Sequence, residues 1–256
     1  MSKYFQVCKL ATVLMCCLAS SSFAGVTITG TRIIFPASQQ TTTVQLTNSS
    51  DKPAMIQAWL DNGDPKIIPE AGEVPFILTP PLTRIEARKG QMIRLIQKDT
   101  KTLPQDRESV YWFNILDIPA TVQQQENQAA NKLMVSIRTR IKLFYRPEKL
   151  DITQQKAFSS LRFQYDTATK AIKIYNPSPY YINFEHVDFK NAKQQFAYNE
   201  PLMVAPFAME TIKPKLNFHP TQASYLLIND YGGSVAHTAD LSTATPASFV
   251  SSTQEN

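Results

Sequence analysis

The sequence lacks the short motifs that mark most enzymes. It contains no G-x-S-x-G, H-E-x-x-H, G-x-G-x-x-G or P-loop pattern, which are signatures of hydrolases, zinc proteases and nucleotide-binding proteins. Its three histidines, His186, His219 and His237, are scattered without the spacing of metal ligands. We therefore expect no catalytic residue, no metal site and no cofactor.

Cysteine is missing from nearly the whole chain. All three cysteines lie within residues 1–24, where a start that carries Lys3 and Lys9 leads into an apolar run that ends in small residues. This pattern predicts a secretory signal peptide that is cleaved after Ala24. The exported chain would then contain no cysteine, and its hydrophobic cores would have to hold it together without disulfides.

A large excess of one charge is also missing. The chain of 256 residues has a formal net charge of +5, and cleavage lowers it to +3 because two of the 26 basic residues and none of the 21 acidic residues are lost. So small an excess does not indicate a nucleic-acid partner.

Helical periodicity is nearly absent, and short alternating runs take its place. Turn residues separate these runs, and a second series of them begins after Pro147. Two series of short strands predict an all-β protein with two immunoglobulin-like β-sandwich domains of about 100 residues each. The expected division is a cleaved leader (1–24), a first sandwich (25–146), a linker (147–152), a second sandwich (153–245) and a disordered tail (246–256).

One strand-like stretch, Leu133 to Pro147, is too long for a single sandwich. It would reach roughly 50 Å at about 3.3 Å per residue, whereas most strands have about five or six residues. Its basic row is typical of a solvated strand face that discourages edge pairing, whereas its apolar row invites a partner. The apolar row consists of Leu133, Val135, Ile137, Ile141, Leu143 and Tyr145, and the basic row of Arg138, Arg140, Lys142 and Arg146.

Arg32 is a second unusual position. In the run 26–35 it falls on the same strand face as Val26, Ile28 and Ile34. A guanidinium on an apolar face needs an anion or access to water, because an unpaired buried charge is very costly. Two interpretations stay open. Arg32 reaches water or pairs with an acid of the same chain, or it binds an external anion such as a carboxylate.

Several longer blocks carry a family resemblance. The longest is LPQDRESVYWFNILDIP (103–119), and the others are TRIIF (31–35), TPPLTRIEARKGQMIRL (79–95), RIKLFYRP (140–147), YNPSPYYINF (175–184) and INDYGG (228–233). Together they resemble the periplasmic pilus-assembly chaperones of the chaperone–usher pathway, the PapD-like family, over essentially the whole exported chain.

The resemblance implies two sandwiches in a boomerang arrangement that bind pilus subunits, whose own sandwich lacks one strand. An edge strand of the chaperone fills that gap, and Leu133, Val135 and Ile137 match the residues that enter the subunit's pockets. Arg32 and Lys142 match two basic residues that hold the subunit's C-terminal carboxylate. Because the family delivers subunits to an outer-membrane usher, the expected location is the periplasm.

The resemblance also implies a charge cluster between the domains, matched by Glu108, Arg146 and Asp230. In the family such opposite charges hold the angle between the domains. Without the resemblance, each would be read as an ordinary surface ion pair worth about 0–1 kcal/mol. The exposed apolar strand is further expected to favour self-association of the free chaperone.

Two other functions stay open from the residues alone. Tyr180 and Tyr181 could form a sugar platform on an exported adhesin or carbohydrate-binding module. The remaining alternative is a hydrolase, although no motif supports it.

Overall fold

The computed structural model describes residues 25–67, 73–118 and 135–242. The predicted leader (1–24), Leu133 and the predicted tail (246–256) lie outside these ranges. In the described ranges, no helix combines the length and the apolar composition needed to span a bilayer.

Two sheets face each other in the first domain and enclose one hydrophobic core. One has the strand order β1-β3-β7-β5 and the other β2-β9-β8-β4-β6. Alternate residues such as Val44 and Leu46, or Ile93 and Leu95, point into the core, as the period of a half-buried strand requires. The strands are β1 (Val26–Ile28), β2 (Arg32–Pro36), β3 (Thr41–Asn48), β4 (Ala54–Asp61), β5 (Phe76–Thr79), β6 (Leu82–Ile85), β7 (Gly90–Gln97), β8 (Ser109–Ile118) and β9 (Ile137–Arg146).

The second domain is also built from strands around a core of its own. Its strands follow the order β13-β12-β16-β17-β10-β11-β15, and β14 pairs with β12. The end of β17 turns away from β16 to pair with β10, which joins the two layers. The elements are α1 (Gln154–Ser159), β10 (Arg162–Asp166), β11 (Ala171–Tyr175), β12 (Ile182–Lys190), β13 (Gln195–Tyr198), β14 (Leu202–Val204), β15 (Met209–Ile212), β16 (Gln222–Ile228) and β17 (Ser234–Ser242). The prediction of an all-β protein with two sandwiches is confirmed.

The run 26–35 is not one strand, so the predicted face around Arg32 is wrong. Gly30 has a φ of 94°, a left-handed conformation that glycine adopts at little cost, and the chain there passes from one sheet to the other. Arg32 consequently shares no face with Val26. In β2 the side chains that enter the core are those of Ile33 and Phe35, and Arg32 points the other way.

The long apolar row divides into two parts. Leu143 and Tyr145 are buried in the first core, with Ile141 packed against it. Val135 and Ile137 are instead exposed. The stretch therefore contains a core strand and, before it, an apolar segment that the chain itself does not cover.

The substitution Phe35→Ala tests how much of the stability of the first domain depends on a single ring in its core. Its side chain is fully buried, and its ring centroid lies 5.2 Å from that of Phe76 and 6.3 Å from that of Tyr145. We expect Phe35→Ala to lower the free energy of unfolding by about 3–5 kcal/mol, because it leaves a cavity in a packed core. Urea denaturation measures the loss. Met92→Ala, at an exposed side chain, is the control and should change stability by less than about 0.5 kcal/mol; equal effects would contradict this assignment of the core.

Candidate functional site

Arg32 and Lys142 lie side by side because β2 pairs in parallel with β9, and these two residues are the first partners of that register. Both side chains reach the second domain. Nη1 of Arg32 donates a hydrogen bond to the carbonyl of Ile228 at 3.0 Å, and Nζ of Lys142 donates to Oδ1 of Asn183. The two cations therefore stand in the cleft between the domains.

Among the described residues, neither cation has a carboxylate as its hydrogen-bond partner. Burial, together with the positive charges of Arg32 and Arg140, lowers the pKa of Lys142 to about 8. Burial also lowers the pKa of Arg32, against the opposing effect of Asp230 and Glu108. The Nε of Arg32 is buried and has no hydrogen-bond partner in the described part of the chain. Cations held partly out of water in this way favour a bound anion.

A cavity of about 460 Å³ opens beside these cations. Arg32, Lys142, Trp112, Arg140 and Ile141 line its first-domain side. On this side the cavity is therefore lined by three cationic side chains, one aromatic side chain and one apolar side chain.

The second domain forms the other side of the cavity. Glu185 and Ser234 line it there, and the hydroxyl of Ser234 donates to the carboxylate of Glu185. The register of β12 against β16 shifts between Phe184 and His186, so Glu185 lies at a bulge. Such irregularities often redirect a side chain next to a binding site.

The edge of β9 next to the cavity is open. Residues 137–145 of β9 pair with β8, whereas only residues 142–146 pair with β2. Within the described chain, residues 137–141 therefore have a neighbouring strand on one side only. Val135 and Ile137, at the start of this edge, are 63% and 58% exposed. Unpaired backbone groups at such an edge can bind another extended chain.

Glu108, Arg146 and Asp230 meet at the junction of the domains. Nε of Arg146 donates to Oε1 of Glu108 at 2.8 Å, and its Nη1 and Nη2 donate to the two oxygens of Asp230 at 2.6 and 2.8 Å. The other oxygen of Glu108 accepts a hydrogen bond from the backbone N–H of Tyr181 at 2.8 Å. The guanidinium also lies 5.0 Å from the ring centroid of Tyr180.

This junction cluster is not a set of surface ion pairs, because Glu108 is only 4% exposed. Burial raises the pKa of Glu108, although Arg146 acts in the opposite direction. Burial acts to raise the pKa of Asp230 too, but hydrogen bonds and the charge of Arg146 hold it below its usual value. Removal of Arg146 would leave two carboxylates partly or fully out of water without their counter-charge.

The two tyrosines suggested as a sugar platform fill the junction instead. Tyr180 is buried, and its hydroxyl donates to the carbonyl of Ile152 at 2.9 Å. Tyr181 is half-buried, and its ring centroid lies 5.8 Å from that of Phe144. That interpretation is wrong because Tyr180 belongs to the core of the second domain and Tyr181 packs against the first domain.

A second charged network was not predicted from the sequence. Asp61, the last residue of β4, is fully buried and accepts hydrogen bonds from Nε and Nη2 of Arg140 at 2.9 and 2.5 Å. Nδ2 of Asn114 also donates to Asp61, at 2.8 Å. Arg138 donates through Nε and Nη2 to Oδ1 of Asn114 at 3.0 and 2.7 Å, and its Nη2 lies 3.5 Å from Asp61.

Two tryptophans complete this network. The guanidinium of Arg138 lies 4.9 Å from the ring centroid of Trp59, and that of Arg140 lies 4.5 Å from the ring of Trp112. The interpretation of the basic row as a solvated face is therefore wrong for Arg140, which is partly buried, whereas Arg138 stays exposed although β4 and β8 provide it with partners on the same face. Trp59 and Asp61, at alternate positions of one strand, were the available sequence signal.

Two family models match this chain. Residues 25–151 match the PapD N-terminal domain of pili and flagellar-assembly chaperones, and residues 156–239 match the C-terminal domain of the pili assembly chaperone PapD. Among curated proteins, the probable fimbrial chaperone YadV of Escherichia coli K12 is 37% identical over 232 residues, which cover 88% of this chain and 94% of YadV.

Solved structures agree with these matches. The crystal structure of the YadV chaperone has a TM-score of 0.73 at 35% identity and covers 85% of this chain and 100% of that chain. A structure of Salmonella enterica SafA pilin in complex with the SafB chaperone has a TM-score of 0.70 at 27% identity, and the match covers 87% of this chain and 99% of that chain. The similarity spans both sandwiches.

Arg146→Met tests the junction cluster. We expect it to lower the free energy of unfolding by about 3–5 kcal/mol, because it breaks a buried ion pair on one side only. The loss should be larger at about pH 7 than at about pH 5. Without the charge of Arg146 to oppose it, burial raises the pKa of Glu108 further, so the variant loses stability as the pH rises from about 5. The lowered pKa of Asp230 affects stability only below its ordinary value of 3.8 and does not distinguish these two pH values.

Urea denaturation at the two pH values measures this loss. Arg84→Met, which breaks an exposed pair with Glu86, is the control and should cost about 0–1 kcal/mol at either pH. A loss for Arg146→Met that does not grow with pH would contradict the role of the buried carboxylates.

Proposed function

The chain belongs to the PapD family of pilus-assembly chaperones, and from this premise we propose that it binds pilus subunits along the open edge of β9 and holds their C-terminal carboxylate between Arg32 and Lys142. The observation that carries the proposal is the position of this cation pair, at the point where the open edge ends. The leader pattern of residues 1–24 supports export to the periplasm, where an outer-membrane usher would receive the loaded chaperone.

The course of β2 sets the direction of the bound strand. β2 occupies the edge of β9 from Lys142 onward and runs parallel to β9. A subunit strand that fills the preceding part of the edge has to end where β2 begins. With its carboxyl end at Lys142 and its body extending toward Ile137, it runs parallel to β9. Its backbone would pair with residues 137–141, and Val135 and Ile137 would enter the incomplete subunit sandwich.

A carboxylate suits this site better than water does. It accepts hydrogen bonds from both a guanidinium and an ammonium, and such charge-assisted bonds are roughly twice as strong as neutral ones. It would also give the buried Nε of Arg32 a nearby anion. A fixed carboxylate determines the register, because a slip of one residue would turn every apolar side chain of the pair to the wrong face.

No chemical step is assigned to the chain. The work of a chaperone of this kind is to shield a groove and hold a strand, which needs an edge, apolar side chains and an anchor. A sugar-binding role has no support from Tyr180 and Tyr181, whose rings pack at the junction.

Substitution of either cation tests the anchor. We expect Arg32→Ala and Lys142→Ala to fold, because both side chains point away from the first core, and to lose subunit capture. The loss should be at least about thirtyfold in affinity, since removal of one partner of a buried charge pair costs about 2–5 kcal/mol. Co-purification with fimbrial subunits and thermal unfolding measure the two properties.

Arg94→Ala is the matched control, because Arg94 is exposed on β7 in the other sheet of the first domain. It should leave capture unchanged. Full capture by either anchor variant would exclude the carboxylate anchor.

The pKa of Lys142 predicts how binding depends on pH. A bound carboxylate favours the protonated amine, so affinity should be highest below a pH of about 8 and should fall as the pH rises through that value. Titration of a peptide with a free carboxyl end at several pH values measures the effect. Lys142→Arg should abolish the fall, because a guanidinium stays charged throughout this range. A fall that persists in Lys142→Arg would assign the dependence to another group.

A further inference from the structure

Alternation alone does not fix the register of a strand bound to β9. A slip of one residue reverses the faces, but a slip of two residues restores them. Movement toward the end of β9 is blocked by β2, which occupies the edge from Lys142 onward. Movement by two residues the other way would place the ligand carboxylate beside Arg140, about 7 Å from its place at Lys142. Arg140 shares the outward face of β9 with Lys142 and lines the same cavity.

Arg140 differs from Lys142 in having its charge already matched. Its Nε and Nη2 bind the two oxygens of Asp61, and Nη2 also donates to the carbonyl of Gly63 at 3.0 Å. Arg138, two residues earlier, is bound by Asn114 and approached by the same carboxylate. By contrast, the hydrogen-bond partner of Lys142 among the described residues is the neutral amide of Asn183.

Asp61 keeps the negative charge that pairs with Arg140 across neutral pH. Burial acts to raise its pKa, but hydrogen bonds from Arg140 and Asn114 hold it below its usual value, so the side chain stays ionised. Because it is fully buried, it does not exchange these partners for water.

We propose that Asp61 is a positioning residue that sets the binding register, because it neutralises Arg140 and leaves Arg32 and Lys142 to receive the ligand carboxylate. The inference rests on the proposed function, since it presupposes that a strand with a free carboxyl end lies along β9. It adds that the charge pattern of β9 rejects the two-residue slip, which alternation permits.

Disulfide trapping can read the register directly. The chain after residue 24 contains no cysteine, so Thr139→Cys introduces a single thiol on β9, on the same face as Ile137 and Ile141. The probes are synthetic peptides of alternating valine and threonine that end in a free carboxylate and carry one cysteine at successive positions. With Asp61 present, one peptide position should form the disulfide.

Asp61→Asn should produce a second disulfide, two residues closer to the carboxyl end of the peptide, because Arg140 is then free to bind the carboxylate. Asp61→Asn should also restore part of the peptide binding that is lost when Lys142 is replaced. The double variant Asp61→Asn, Lys142→Met should bind the peptide at least about tenfold more tightly than Lys142→Met alone. A merely structural role of Asp61 would only weaken binding further.

Asp61→Asn, Arg140→Gln is the matched control and should return to a single register. Near-ultraviolet circular dichroism verifies that each variant folds. If Asp61→Asn does not fold, Lys142→Met alone decides the question: peptide held in the shifted register while Asp61 is intact would overturn the inference, and loss of binding would support it.

The outcomes separate the two proposals. Wild-type affinity for the peptide in Lys142→Met, in the original register, would overturn the carboxylate anchor itself. Loss of binding in Lys142→Met, combined with one unchanged register in a folded Asp61→Asn, would overturn only the role of Asp61.

Discussion

The point at which β2 joins β9 governs the whole binding region. Gly30 turns the chain out of the first sheet, and β2 then pairs with β9 from Arg32 onward. That single register places a guanidinium beside Lys142 and, within the described chain, leaves residues 137–141 of β9 paired on one side only, with β8. The open edge and the cation pair are therefore two results of one strand pairing, and neither can move along β9 without the other.

The second domain takes part in the same arrangement. It provides the acceptors of both cations, the carbonyl of Ile228 and the amide of Asn183. Arg146 connects the domains through a buried carboxylate of the first and a half-buried one of the second. Since the chain has no cysteine after residue 24, charge and packing alone hold this junction. A buried ionic cluster has directional hydrogen bonds, which suit it to fixing an angle better than an apolar contact would.

The sequence predicted the parts of this structure that depend on local periodicity. Alternation placed Leu143, Tyr145, Val135 and Ile137 on one apolar row, because a sandwich strand needs one apolar face, and only the family resemblance assigned Val135 and Ile137 to an external partner. The family blocks directed attention to Lys142, which alternation by itself could not distinguish from other basic residues. Arg32 stood out from alternation, but on a strand face that the structure does not contain.

The missed features depend on which distant strands become neighbours. Asp61 and Arg140 are 79 residues apart, and only the pairing of β4 with β8 and of β8 with β9 brings them to one face. Tyr180 was read as a surface ring because the sequence does not show that it joins the core of the second domain. The break at Gly30 escaped notice because a glycine inside an alternating run resembles a tolerated weak position until its φ is known.

Arg32 and Lys142 contact the second domain, so in the proposed mode of binding the junction and the carboxylate site are parts of one equilibrium. A carboxylate that draws on these cations changes how firmly they hold Ile228 and Asn183, and so changes the free energy of the domain arrangement. Such coupling is reciprocal: whatever the ligand does to the stability of the junction, a change in the junction does to the affinity for the ligand by the same factor. If a carboxylate binds to these cations as proposed, substitutions in the junction cluster would therefore also change the affinity for that ligand.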